Sequence, residues 1–203
     1  MPIEIRKLHP NDEKELIDIC FITGDEHLKK IFPDPYLFSL FWCLYYVWFE
    51  KENSFVAVDS TKNKVIGYIF STYDTYSQEE SFKRNIYPKI KERMKELKLK
   101  SLQTKLYAYF ITNWPLTKKR KRLITEYPAH LHIDILPDYQ RQGIGHRLMK
   151  TLENNLQENK VKGFHLGVGT DNIQGINFYK KYGLTLAYSD HFTSYFVKKI
   201  IDD

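Results

Sequence analysis

From His130 to Ile135 the chain alternates ionisable and aliphatic side chains, with His130, His132 and Asp134 interleaved with Leu131, Ile133 and Ile135. A period of two is that of a β-strand, so the ionisable groups share one face and the aliphatic groups the other. An imidazole or carboxylate on such a face can take a proton from an ammonium, directly or through a water molecule. His132 and Asp134 are the candidate bases, with Glu126 a third just before the strand. Each is equally suited to a hydrogen-bonded structural role.

The strand ends at Pro137, and "QRQGIGHRLM" brings a polar turn with Gly143 and Gly145 that runs into residues suited to a helix. A helix start leaves backbone N–H groups without partners at the positive end of the helix dipole. Those groups make an anion cradle suited to phosphate; the plainer alternative is an ordinary tight turn. Glycine lets a phosphate approach the amides and permits a positive φ. The nucleotide P-loop is excluded because His146, not lysine, follows the second glycine, and the dinucleotide fingerprint is excluded by its spacing.

Gln140-x-x-Gly143-x-Gly145, preceded by this strand, resembles the [RQ]-x-x-G-x-[GA] signature of the GNAT superfamily of N-acetyltransferases. A second segment, "DNIQGINFYKKYGL" from Asp171 to Leu184, resembles that superfamily's N-x-x-A-x-x-F-Y-x-K-x-G-F motif, with Gly175 in place of alanine and Leu184 in place of phenylalanine. The resemblance implies an α/β (α+β) fold, a mixed and mostly antiparallel sheet flanked by helices. It implies acetyl-CoA as acetyl donor, a primary amine on a small molecule or protein as acceptor, and no metal. Gln140, Arg141, Gln142, Gly143, Ile144, Gly145 and His146 would then hold the coenzyme pyrophosphate. The backbone of Ile133, Asp134 and Ile135 would polarise the thioester carbonyl, and Asn172 and Tyr179 would contact the coenzyme.

Tyr179 matches the family's usual general acid. A phenol near a thiol in pKa, roughly 10 against 8.5, can give its proton to the departing sulfur. Its plainer role is a core aromatic with a satisfied hydroxyl. The segments "ESFKRNIYPKIKERMK" and "YPAHLHIDILPDYQRQGIG" are also similar to the acetyltransferase-like domain joined to eukaryotic O-GlcNAc hydrolases and to its free-standing bacterial relatives. That group includes domains held to be catalytically silent, so a module binding CoA, a protein or a glycan is the alternative to an enzyme.

The elements that must position these residues read as follows. "IEIRKL" alternates as a strand, and a helix capped by Asn11 or Asp12 follows. Residues 36 to 49 form one aromatic helix after Pro33 and Pro35, and its Trp42, Tyr45, Tyr46 and Trp48 line an acceptor groove or, for most of them, fill the core. "SFVAVD" and "KVIGYIFSTY" make an antiparallel hairpin. Residues 77 to 100 are helical, with a capping-box spacing from Ser77 to Glu80 and Pro88 in a first turn. "LQTKLYAYFI" fits strand and helix alike, and "KKRKR", Lys118 to Arg122, reads as a solvated loop. A helix from Gly145 to about Asn159, the buried strand "GFHLGVG", a helix capped at Asn172 and stopped at Gly183, and strand-like closing residues complete the chain. The whole, 1–203, reads as one domain with a helical insertion at about 73–128. His165 and His191 have no motif partners and read as structural or surface residues.

At 203 residues with 28% charged side chains the chain is neither disordered nor membrane-embedded in composition. The run from Tyr36 to Phe49 is shorter than the roughly 18 to 20 residues of a membrane span. A net charge of +6 favours anions, yet "KKRKR" without a stacking or helix-turn-helix motif does not point to nucleic acid. Cys20 and Cys43 sit in apolar stretches, which fits a reducing, cytoplasmic setting. No apolar secretion segment opens the chain. Oligomeric state, a homodimer included, stays open.

Overall fold

The computed structural model describes residues 2–113 and 116–200. Trp114 and Pro115, inside the expected insertion, lie outside the described residues. Strand β1 (Ile3–Lys7) leads through a one-turn 3-10 helix to α1 (Glu13–Thr23), α2 (Glu26–Ile31), α3 (Pro35–Trp42) and α4 (Leu44–Phe49). The hairpin β2 (Phe55–Asp59) and β3 (Lys64–Thr72) follows, then α5 (Thr75–Asn85), α6 (Tyr87–Glu96), α7 (Leu102–Thr112) and α8 (Lys118–Glu126). Strand β4 (Ala129–Ile135), α9 (Ile144–Glu158), β5 (Gly163–Gly169), α10 (Ile173–Tyr182), β6 (Thr185–Ser189) and β7 (Thr193–Lys199) close the chain. Among the described residues seven strands form one mixed sheet in the order β1-β2-β3-β4-β5-β7-β6, in which only β4 and β5 pair in parallel.

The sheet separates two cores. Val56, Val58, Tyr68 and Phe70 pack on α1, α3 and α4 on one face. Ile66, Ile69, Leu131 and Phe164 pack on Leu148, Leu152 and Leu156 of α9 on the other. The alternation along β4 follows this division. Leu131, Ile133 and Ile135 join the α9 core, which leaves His130, His132 and Asp134 to the opposite face.

Several expected elements take a different form. The aromatic stretch breaks at Cys43, whose φ of −126° ends α3 before α4 begins, so two short helices replace one. Pro35 starts α3 at its first turn, where a missing N–H costs nothing, and Asp34 caps that helix by accepting the Leu37 N–H. Asp12 precedes α1 without capping it, because its carboxylate is held by Arg6 at 2.8 Å. In place of one helix over residues 77 to 100 there are two, α5 and α6, the second ending at Glu96, and Asp74 rather than Ser77 caps α5. "LQTKLYAYFI" resolves as helix α7, and "KKRKR" is the first turn and more of α8, capped by Thr117, not a loop. Local propensity could not decide these, since each depends on which face finds a neighbour.

Strand β3 presses on β4 at Gly67. A Cβ there would lie 2.8 Å from the Asp134 carbonyl oxygen and 3.0 Å from Ile135 Cγ1. Beside it β3 carries one extra residue, the register jumping from Ala57↔Gly67 to Val58↔Val65. Gly67→Ala should therefore destabilise by about 1–3 kcal/mol. In a chain of this size that is a fall of several degrees in a thermal melt. An unchanged or raised midpoint contradicts this close approach.

Candidate active site

Strands β4 and β5 pair only at Ala129↔Phe164 and His130↔His165 and then part. Beyond His130 the middle of the sheet is open on one side of β4. Which backbone groups face that opening follows from the ladder on the other side. Leu136 donates its N–H to the Ile66 carbonyl, toward β3. Backbone groups alternate sides residue by residue in an antiparallel ladder, so Ile133 and Ile135 turn theirs toward the opening. The Ile135 carbonyl accepts Gln140 Nε2 at 2.9 Å, while Gln140 Oε1 accepts Gln174 Nε2 at 3.0 Å. Gln140 thus ties the loop to β4 and to α10.

The loop is built as an amide nest. Arg141 at φ 59° and Gly143 at φ 77° are both left-handed, and Gly143 begins α9 with no side-chain cap. The first N–H groups of the helix, at Ile144, Gly145 and His146, therefore have no intrahelical acceptor. A Cβ on Gly143 would meet nothing within 4 Å, whereas one on Gly145 would lie 3.2 Å from the Phe178 ring. Glycine at 145 serves the approach of α10 to α9, and glycine at 143 serves the turn and the space above it. The Ile144 side chain is buried in the α9 core. Gln142 is used on the Asp138 carbonyl, His146 rests on the Tyr182 ring, and the Asn172 side chain caps α10 through the Gly175 N–H. Within this set the amides, and not most of the side chains, are free to meet a ligand.

Three ionisable groups flank the opening. Asp134 is half-buried, accepts the Tyr68 hydroxyl at 2.6 Å and also meets Thr23 of α1. Desolvation exceeds these hydrogen bonds and lifts its carboxyl to about 6. His132, held against the Tyr46 ring, is pushed down to about 4 by desolvation, and its ring nitrogens have no protein hydrogen-bond partner among the described residues. Tyr179 of α10 packs against the α9 core within electrostatic reach of Asp134, and burial together with the Asp134 charge pushes its phenol above the ordinary range. Its hydroxyl likewise makes no protein hydrogen bond among the described residues.

His130 is spoken for. The Thr75 hydroxyl donates to the Pro128 carbonyl at 2.7 Å and so receives His130 Nδ1 at 2.8 Å, which leaves Nε2 to accept the Tyr46 hydroxyl at 2.6 Å. A neutral ring satisfied at both nitrogens is structural, and burial pushes its pKa well down. His165 is buried with Nδ1 against the Tyr127 carbonyl, and His191 is exposed. Glu126 is exposed and paired with Arg122. Of the aromatic candidates, Tyr45 and Tyr46 are core, Trp48 donates to Glu13, and Trp42 is partly buried against Phe38 and Phe41. Among the described residues no group of His, Cys, Asp and Glu is placed to hold a metal ion, and no helix is long and apolar enough to cross a membrane. Tyr68 and Thr23, which meet Asp134, carry no local sequence signal, because only the pairing of β3 with β4 and the seat of α1 bring them there.

Burial gives these groups opposite effects on stability. For Asp134 the folded pKa, about 6, exceeds the ordinary 3.8, so its contribution is present below 3.8 and is lost as pH rises through 6. For His132 and His165 the folded value, about 4, lies below 6.5, so theirs is present above 6.5 and is lost as pH falls toward 4. Asp134→Asn removes a desolvated charge while keeping an acceptor for Tyr68. It should melt at a higher temperature than the parent at pH 8, with the gap closing toward pH 5. Equal melting at both pH values would show that the carboxylate is not desolvated.

A model of the acetyltransferase (GNAT) family matches residues 23–184. Among solved structures the chain is similar to SsHAT, at 26% identity and a TM-score of 0.84, covering 100% of both chains. It is similar in fold to the PaiA N-acetyltransferase of Thermoplasma acidophilum in complex with coenzyme A, at 17% identity and a TM-score of 0.62, covering 98% of this chain and 99% of that one. It is also similar in fold to Chaetomium thermophilum Naa20 in complex with a bisubstrate analogue, at 18% identity and a TM-score of 0.52, covering 97% of this chain and 85% of that one. With its family match running from the end of α1 to the turn after α10, this chain belongs to the GNAT family of acetyltransferases.

Proposed function

We propose that the chain transfers an acetyl group from acetyl-CoA to a primary amine. The observation that carries this reading is the parting of β4 from β5 beside an amide nest, with Asp134 on one face of the sheet and Tyr179 packed on the core of the other. The amides of Gly143, Ile144, Gly145 and His146 bind the pyrophosphate, each worth more for facing an anion at a helix start. The backbone of Ile133 and Ile135 orients the pantetheine arm and polarises the thioester carbonyl, stabilising the oxyanion as it forms. Asp134, at about 6, takes a proton from the acceptor ammonium at neutral pH. His132, at about 4, is neutral there and a weaker base, suited to accepting a hydrogen bond from the amine. As the C–N bond forms and the C–S bond breaks, Tyr179 protonates the thiolate. The ammonium thus gives up two protons, one ending on the coenzyme thiol through Tyr179 and the other reaching solvent through Asp134.

Residues 1–203 act in this reading as one acetyltransferase unit, with helices α5 to α8 as the insertion beside the acceptor side of the sheet. The sequence of that insertion and of the loop supports a place near the domains joined to O-GlcNAc hydrolases. Buried free thiols at Cys20 and Cys43 suit a reducing compartment.

Calorimetric titration should show acetyl-CoA and CoA binding and ATP not binding. Gly143→Trp should abolish acetyl-CoA binding while leaving a folded circular-dichroism spectrum, since the indole would occupy the space above the nest. Tyr179→Phe should keep acetyl-CoA affinity and lower the transfer rate by roughly 10²–10⁴-fold, the range of a lost general acid. Undiminished affinity in Gly143→Trp would put the coenzyme elsewhere, and undiminished rate in Tyr179→Phe would leave the thiolate to another acid.

A further inference from the structure

We propose that Tyr68 is a positioning residue for the transfer reaction, holding one carboxylate oxygen of Asp134 so that the other is aimed at the acceptor amine in its deprotonated form. The inference rests on the assignment of Asp134 as the base.

Tyr68 and Asp134 face each other in the ladder as a directly opposed cross-strand pair. The tyrosine hydroxyl donates to Asp134 Oδ2 at 2.6 Å, a short bond of the kind made to a charged acceptor. That leaves Oδ1 as the oxygen able to receive a proton. Tyr68 itself cannot swing away. It is 1% exposed, and its ring stacks on Phe70 at 4.0 Å, which in turn stacks on Tyr46 at 5.7 Å. The donor is therefore preorganised by the core beneath it, directly opposite the carboxylate in the ladder.

The groups around Asp134 leave the tyrosine a specific task. From α1 come Cys20, close to Tyr68, and Thr23, which lies near the carboxylate but donates its hydroxyl to the Ile19 carbonyl at 2.8 Å. Cys43, at the junction of α3 and α4, and Tyr179 of α10 lie within electrostatic reach of Asp134, and His132 shares its strand face. Among the described residues no lysine or arginine is paired with it, so nothing cationic supports the carboxylate. With the Thr23 proton given to Ile19, the Tyr68 hydroxyl is the donor that opposes desolvation, and without it the acid form would persist to higher pH, where it cannot accept a proton.

The test follows the Asp134 carboxyl by carbon NMR titration in protein labelled at the aspartate side-chain carbonyl, identified by its absence in Asp134→Asn. The same variants are then assayed for thiol release from acetyl-CoA with methylamine over pH 5 to 9. In Tyr68→Phe the carboxyl should titrate at least one pH unit higher than in the parent, and the acid limb of kcat/KM should move by the same amount while KM for acetyl-CoA stays unchanged. A Tyr68→Phe profile and titration that superimpose on the parent would overturn the positioning role. If Asp134→Asn retains the parent's acid limb, the base assignment itself falls, and the inference with it. If Asp134→Asn loses the limb while Tyr68→Phe does not shift it, the base stands and only the role of Tyr68 fails.

Discussion

Two parallel strands that lie side by side at the centre of a sheet and then stop pairing leave backbone N–H and C=O groups facing a gap. Such groups are costly to bury without partners. Here β4 and β5 hold together at two register positions and separate after His130. On its other edge β4 is pinned to β3 through six register positions from Thr72↔His130 to Gly67↔Ile135. That continuous ladder is what allows the opposite edge to remain open, because the strand cannot drift across to close the gap. The close approach at Gly67 tightens the same ladder where the site needs it. An open strand edge suits an extended ligand arm with its own amides, and the amide nest at the end of β4 suits an anionic end on that arm.

The opening also joins the two faces of the sheet. On one side lies the α9 core, with the phosphate-suited loop and Tyr179. On the other lie His132, Asp134 and the aromatic floor of Tyr46, Tyr68 and Phe70. In the proposed reaction, a donor held on one face and an amine arriving from the other would meet where the sheet is interrupted. The pKa directions suit that division, with a carboxyl near neutrality to receive a proton and a phenol kept protonated to give one.

Much of this was legible in the residues because the signals are local. The alternation from His130 to Ile135, the two glycines, the Asn172 cap and the Gly183 stop each depend on a few neighbours, and the structure has a strand, a nest and a capped helix at those places. The parts that were not legible depend on long-range contact. His130 and His132 look alike in the strand, yet Thr75 and Tyr46 take up both nitrogens of the first and leave the second free. Gln140 and Asn172 match binding motifs and Gln142 lies within the first, but all three spend their side chains on the chain's own backbone, so the motif preserves loop shape as much as ligand contact. The aromatic stretch splits at Cys43, and the basic run forms a helix, because of how those segments seat against the core and not because of any breaker in their own sequence.

The most direct test of the account is hydrogen exchange at single amides with and without saturating acetyl-CoA. If the coenzyme fills the opening, the amides of Ile133 and Ile135 on β4 and of Ile144 and Gly145 in the nest should gain protection together, while Tyr68 and Phe70 on the paired strand change little. Protection confined to the nest, with Ile133 and Ile135 exchanging as before, would contradict the claim that the parted strands are built to receive the coenzyme arm.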